Sequence, residues 1–102
     1  NSIQEYVESE GFSIVRELVG HGIGRQLHTT PQIPNFSNPA TMDLNVELKE
    51  GMCLAIEPMV NMGSRHIKTD SDGWTIRTED GNASAHFEHS ILITKFQPRI
   101  LT

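Results

Sequence analysis

Two carboxylates, Glu57 and Glu88, lie in segments whose other residues are apolar enough to form buried β-strands. Glu57 belongs to the run MCLAIEPMV at residues 52–60, and Glu88 belongs to SAHFEHSILIT at residues 84–94. An ionised carboxylate that is buried without a partner destabilises a fold by several kcal/mol. Each Glu is therefore expected to have a basic side chain, a shared proton or a metal ion beside it.

The best-placed partner for these carboxylates is His21, which stands in the glycine-rich segment GHGIG at residues 20–24. Glycines leave room for other groups to approach the imidazole closely. One His and two Glu form a suitable ligand set for a divalent transition ion, which would lower the pKa of a bound water to about 7. From composition and spacing alone, a metal site and a structural ion-pair network remain equally open.

Three more side chains have both a functional and a structural interpretation. His28 follows the glycine-rich segment and could donate a hydrogen bond to a substrate, or it could be an ordinary exposed loop residue. Trp74 could flank a substrate or pack locally at a hairpin, and His86 is a candidate ligand for which a simple partner role is expected. A phosphate-binding loop is not indicated, because the G-x-G-x-x-G spacing and a following helix are both missing.

The composition restricts the classes of protein that the chain can represent. Its 102 residues include 8 Lys and Arg against 13 Asp and Glu, and the formal net charge is −5. This length predicts a single domain over residues 1–102, and the acidic balance argues against a nucleic-acid partner. No apolar run approaches the roughly 18 residues of a membrane span, and the one cysteine, Cys53, excludes an internal disulfide.

The elements that must position these residues are predicted to be one short helix and a mainly antiparallel sheet. An apolar stripe at i, i+3 and i+4 predicts a helix over residues 2–10. An irregular backbone is expected for residues 20–24, and an irregular loop for residues 31–39. The predicted class is therefore α+β, with the helix packed on a curved sheet. Predicted strands occupy residues 12–19, 52–60, 67–69, 74–78, 84–94 and 99–101.

Five short motifs, taken together, resemble type I methionine aminopeptidase. The motifs are Gly20-His21-Gly22-Ile23-Gly24-Arg25, Leu27-His28-x-x-Pro31, Ala55-Ile56-Glu57-Pro58-Met59, Asp72-Gly73-Trp74-Thr75 and Phe87-Glu88-His89-Ser90. The resemblance runs from about Ile3 to Leu101 and covers only the C-terminal half of the family's enzymes. It implies half of the pita-bread fold, in which two pseudo-symmetric α/β halves enclose a dinuclear metal centre. It also implies a metallo-aminopeptidase that removes the initiator methionine from nascent polypeptides.

The same resemblance implies a role for each candidate residue. His21 and Glu57 would be terminal ligands of one ion, and Glu88 would bridge two ions. Glu57 would also accept a proton from the bridging water, and His28 would stabilise negative charge on the scissile carbonyl. The ions expected at such a site are Co²⁺, Mn²⁺, Fe²⁺ or Zn²⁺. The implied substrate-binding residues are Leu27, His28 and Trp74.

Two departures from the family's pattern limit what this chain is expected to do. Leu27 stands where the family often has Phe, which affects the shape of the methionine pocket. The family's two Asp ligands belong to its N-terminal half, so at most one ion is expected to bind here, weakly, with little or no peptidase activity. A half-sheet with an open apolar face is expected to self-associate or to recruit the missing half.

Two alternatives to an enzyme remain open, a non-catalytic pita-bread binding module and an inactive truncated remnant. A binding module has no need of His21, His28, Glu57 and Glu88 together, which favours the enzyme. The expected substrates are nascent polypeptides that begin with Met. The expected compartment is the cytoplasm, or an organelle where a transit peptide precedes the chain.

Overall fold

The computed structural model describes residues 2–37 and 46–102, and within them it contains one helix and ten short strands. Every strand pairing among these residues is antiparallel, which confirms the predicted α+β class. The elements are α1 (Ser2–Ser9), β1 (Ser13–Ile14), β2 (Gly20–Ile23), β3 (Thr29–Ile33), β4 (Cys53–Ile56), β5 (Met59–Asn61), β6 (Ile67–Thr69), β7 (Ile76–Thr78), β8 (Ser84–His86), β9 (His89–Leu92) and β10 (Arg99–Ile100).

The strands form a five-stranded sheet in the order β10-β9-β4-β2-β3, a three-stranded sheet β1-β5-β8 and the hairpin β6-β7. Two segments pass from one sheet to the other, β4 into β5 and β8 into β9. The prediction of continuous strands over 52–60 and 84–94 is therefore wrong at one point in each. The breaks fall at Glu57-Pro58 and at Phe87-Glu88. Proline cannot donate to a strand ladder, which explains the first break.

Four of the five residues of the glycine-rich segment form an inner strand, and the expected irregular backbone is confined to the bend at Gly24 and a register shift against β3. β2 lies between β3 and β4 in the larger sheet. A Cβ atom on Gly20 would collide with the carbonyl oxygen of Ala55, and one on Gly22 would collide with the carbonyl oxygen of Thr30. These glycines therefore allow close approach of neighbouring strands rather than an unusual conformation.

The predicted loop over residues 31–39 is wrong for its first three residues, which belong to β3. β3 is the edge strand of the larger sheet, and an edge position tolerates Pro31. The register shifts between His21 and Gly22, since their partners are Gln32 and Thr29. The two intervening residues of β3 form a bulge, a device that re-aims nearby side chains. Residues 38 and 39 lie outside the described residues.

The other predicted elements differ less from the structure. The helix, the β6-β7 hairpin and the C-terminal strand are confirmed, whereas the strand expected over 12–19 is restricted to β1. Gly11, with a φ of 82°, follows the helix, and α1 packs beside β1. No helix in the described ranges is long and apolar enough to span a membrane. Among the residues that the structure describes, the buried hydrophobic ones are Ile14, Val15, Leu54 and Ala55.

Candidate metal centre

Three neighbouring strand regions bring the predicted ligands together. His21 lies on β2 directly opposite Ala55 of β4, and Glu57 follows β4 at its junction with β5. Glu88 occupies the matching junction between β8 and β9, where β9 pairs with β4. One ligand atom each from His21, Glu57 and Glu88 lies within 4.8 Å of the others. The two points at which the chain changes sheets therefore place both carboxylates beside the imidazole.

The burial of the two carboxylates is unequal. The Glu57 side chain is 13% exposed, as its apolar segment predicts. Glu88 is exposed, so the expectation that it lies in a buried strand is wrong. It occupies a break between two strands, and nothing among the described residues covers it. Glu57 is therefore the carboxylate whose desolvation requires a positive partner.

The tautomer of a neutral His21 ring follows from its backbone contact. Its Nδ1 atom lies 2.9 Å from the carbonyl oxygen of Gly22. A carbonyl oxygen only accepts, so Nδ1 carries the proton and Nε2 of the neutral ring has a free lone pair. That Nε2 atom lies 3.3 Å from Oε1 of Glu57, with no hydrogen bond between them. A cation between these two electron-rich atoms would satisfy both, so the donor set fits a divalent metal ion.

Two further residues contact Glu57. Asn35, only 1% exposed, donates from Nδ2 to the backbone carbonyl of Glu57 at 3.4 Å. His86 places Nε2 3.3 Å from Oε2 of the Glu57 carboxylate. The sequence offers no signal for Asn35, which lies in a proline-rich stretch without periodicity. The sequence marks His86 as a candidate ligand for which a simple partner role is expected, and the structure places it beside Glu57.

The ring of His28 lies beside that of His21, with 4.2 Å between the ring centroids and a tilt of 48°. Both rings line a cleft of about 950 Å³, and Glu57, Trp74 and His86 line the same cleft. Leu27 is not among the residues that line this cleft, and it is 69% exposed. The structure therefore brings four of the predicted site residues to one cleft, with Glu88 close to two of them and Leu27 outside.

Trp74 projects from the turn between β6 and β7 and is 86% exposed, so it is not packed locally. The Asp72 carboxylate accepts hydrogen bonds from the Thr75 hydroxyl at 2.6 Å and from the backbone N–H groups of Trp74 and Thr75 at 2.9 and 2.8 Å. These bonds, that of the Thr75 hydroxyl above all, hold the pKa of Asp72 below its usual value of 3.8. The ionised Asp72 therefore fixes the turn that carries Trp74 at the cleft.

Comparison with known proteins identifies the family to which this fold and site belong. Residues 1–95 match the profile of metallopeptidase family M24, so the chain belongs to that family. It is 55% identical to the methionine aminopeptidase of Clostridium perfringens and 56% identical to methionine aminopeptidase 1 of Bacillus subtilis, over all 102 residues. The crystal structure of methionine aminopeptidase from Thermotoga maritima superposes with a TM-score of 0.90 at 55% identity, over 98% of this chain and 39% of that one.

These matches cover the relatives only in part. The chain spans about 40% of the length of the Clostridium perfringens and Bacillus subtilis proteins. The resemblance to type I methionine aminopeptidases is confirmed, and so is its restriction to a part of their length. The fold of this chain is accordingly a portion of the pita-bread fold.

Proposed function

We propose that this chain forms the part of a methionine aminopeptidase that supplies three ligands of the metal centre. The complete enzyme would remove the initiator methionine from nascent polypeptides. The observation that carries the proposal is the convergence of His21, Glu57 and Glu88, whose ligand atoms lie within 4.8 Å of one another. The substrate class comes from the relatives in Clostridium perfringens, Bacillus subtilis and Escherichia coli, which are named methionine aminopeptidases and match nearly the whole chain.

The proposed metal ligands are His21 through Nε2, Glu57 and Glu88. A bound Co²⁺, Mn²⁺, Fe²⁺ or Zn²⁺ ion would supply a Lewis acid that polarises a carbonyl and makes water a better nucleophile near neutral pH. The lone pair of Nε2 is kept available by the Nδ1 contact with Gly22. Since the two Asp ligands implied by the resemblance are not in this sequence, the chain alone would hold at most one ion, weakly.

The remaining chemistry belongs to side chains of the cleft. Glu57 is the proposed general base, which accepts a proton from the attacking water on a carboxylate oxygen. His28 is the proposed donor to the scissile carbonyl oxygen, supported by its position 4.2 Å from the His21 ring. Trp74 and Leu27 are proposed to flank the methionine side chain. Trp74 lines the cleft. The support for Leu27 is its place next to His28 in the sequence.

The proposed partners follow from the same arrangement. The chain would pair with the remaining half of the pita-bread fold, and its substrates would be nascent N-termini that begin with Met. We place the reaction in the cytoplasm, where such N-termini are produced.

The proposal can be tested by complementation. The chain is mixed with the separately expressed part of the Bacillus subtilis relative that lies outside the matched region, and methionine release from a Met-Ala-type peptide is measured with Co²⁺ or Mn²⁺. Turnover is expected in the mixture and not with either part alone. A mixture with the Glu57→Gln chain is the control and should be inactive. An associated but inactive wild-type mixture would contradict the proposal and favour an inactive remnant.

A further inference from the structure

The carboxylate of Glu57 lies between two imidazole rings. Its Oε1 atom is 3.3 Å from Nε2 of His21, and its Oε2 atom is 3.3 Å from Nε2 of His86. No Lys or Arg side chain in the described ranges forms an ion pair with this carboxylate. The Glu57 side chain is 13% exposed, whereas that of His86 is 48% exposed. The two oxygens of one carboxylate therefore have different neighbours.

The register of the smaller sheet holds His86 in this place. His86 ends β8 and pairs directly with Met59, the first residue of β5. Glu57 precedes Met59 by two residues, just before β5 begins, and a diagonal position of this kind is within reach of long side chains on the neighbouring strand. The contact joins the two strands just where each of them leaves the smaller sheet.

A carboxylate that ligates a metal ion can use one oxygen or both, and a donor to one oxygen selects between these modes. Residues that hydrogen-bond a metal ligand orient that ligand in this way. Loss of such a residue typically weakens metal binding by about 10–100-fold. His86 does not belong to the converging group formed among the described residues by His21, Glu57 and Glu88. Its Nε2 atom lies 3.3 Å from Oε2 of Glu57, and since a carboxylate oxygen only accepts, a hydrogen bond across this contact would be donated by Nε2–H of His86.

We propose that His86 is a positioning residue that holds Oε2 of Glu57, so that Oε1 alone faces His21 and the metal ion. This inference rests on the proposed metal site and adds a residue that acts through Glu57. His86 itself contacts neither the metal ion nor the substrate in this arrangement.

The test uses the whole 102-residue chain and Co²⁺, with calorimetric titration and the visible absorption spectrum of the bound ion as readouts. His86→Leu removes the donor at similar size, and we expect Co²⁺ affinity to fall by about 10–100-fold. The absorption bands should also change, because Glu57 becomes free to bind through both oxygens. His86→Gln retains an N–H donor and should restore both properties. His66→Leu, at an exposed position outside the cleft, is the matched control and should behave as wild type.

The outcomes separate this inference from the proposed function. If wild type binds Co²⁺ and His86→Leu binds it with the same affinity and spectrum, the positioning role is refuted while the metal site stands. If wild type binds no Co²⁺, both proposals fail. His86→Thr, whose side chain is too short to reach Glu57, repeats the comparison should the Leu variant not fold, and it should show the same loss.

Discussion

At the scale of single residues, the site depends on where one proton lies. The Nδ1 atom of His21 donates to the carbonyl oxygen of Gly22, which leaves Nε2 free beside Glu57. The residue types of the site could be predicted from the sequence, because His and Glu in apolar or glycine-rich segments are conspicuous. The tautomer of His21 could not be predicted, since it depends on the direction of the Gly22 carbonyl group. The role of Asn35 was equally inaccessible, because it acts on the backbone of a residue distant in the chain.

Because the Glu57 carboxylate is half-buried, Glu57→Gln should affect the Tm differently in the absence and in the presence of a metal ion. Glu57→Gln retains the shape and removes a charge that the metal-free fold must desolvate, so its Tm without metal should equal or exceed that of wild type. The rise in Tm that Co²⁺ causes in wild type should disappear, because stabilisation by a ligand follows its affinity. Thermal unfolding followed by circular dichroism checks both effects.

The control for this comparison is Glu79→Gln, which removes a carboxylate at an exposed position. Its Co²⁺-induced rise in Tm should match that of wild type. A Glu57→Gln chain that is strongly destabilised without metal would show that the negative charge of Glu57 stabilises the metal-free fold, and this would contradict our account.

The turn that carries Trp74 should loosen in acid. Because hydrogen bonds from Thr75 and Trp74 lower the pKa of Asp72, the ionised carboxylate stabilises the turn above its ordinary pKa of 3.8, and this is lost as pH falls through the lowered pKa. The amide NMR signals of Trp74 and Thr75 should therefore stay constant down to about pH 4 and shift below it. Asp72→Asn should abolish that titration. If the Asp72→Asn variant shows the same shift of these signals with pH, the shift reports on another group and the prediction is wrong.

At the scale of elements, the site is built where the chain changes sheets. The two long apolar segments were correctly predicted as β-structure, but each is divided at its Glu. Periodicity reports which residues alternate and carries no information on which sheet a strand joins. For the same reason the glycine-rich segment could not be recognised as an inner strand. Gly20 meets the backbone of Ala55, which is distant in sequence.

The close packing of β2 predicts that Gly22 within this strand and Gly24 just after it differ in their tolerance of substitution by Ala. Gly22→Ala places a Cβ atom against the Thr30 carbonyl oxygen and should destabilise the chain by about 1–3 kcal/mol, as overpacking does. Gly24→Ala is the matched control, since its Cβ atom would lie 3.6 Å from Cγ2 of Thr29, an ordinary contact. Denaturant unfolding measures the stability of both variants. Equal unfolding midpoints for Gly22→Ala and Gly24→Ala would contradict the packing that we describe.

At the scale of the whole molecule, the chain leaves much apolar surface uncovered. Among the described residues four hydrophobic side chains are buried, while twelve large ones are exposed, and these include Phe87 at 78% and Phe96 at 89%. The incomplete ligand set in the sequence correctly indicated a match to only part of the family's fold. The burial of Glu88 was mispredicted because burial depends on what covers a segment, and a strand's own residues do not reveal that.

The exposed apolar surface predicts self-association of the isolated chain. Sedimentation velocity at rising concentration should show dimers or larger species, since exposed patches of this kind are typical of interaction sites. Addition of the complementary part of the Bacillus subtilis relative should replace them with a one-to-one complex. A chain that remains monomeric at high concentration, alone and in the mixture, would contradict this prediction.

The central claim is that an imidazole and two carboxylates share one divalent ion, and calorimetric titration with Co²⁺ or Mn²⁺ tests it most directly. The wild-type chain should bind one ion. Loss of a residue that only hydrogen-bonds a metal ligand typically weakens metal binding by about 10–100-fold. The ligand substitutions His21→Ala, Glu57→Gln and Glu88→Gln should each weaken it by at least as much. His66→Leu and Glu79→Gln should leave it unchanged. Undetectable binding to wild type, or equal binding by wild type and the three ligand variants, would contradict the claim.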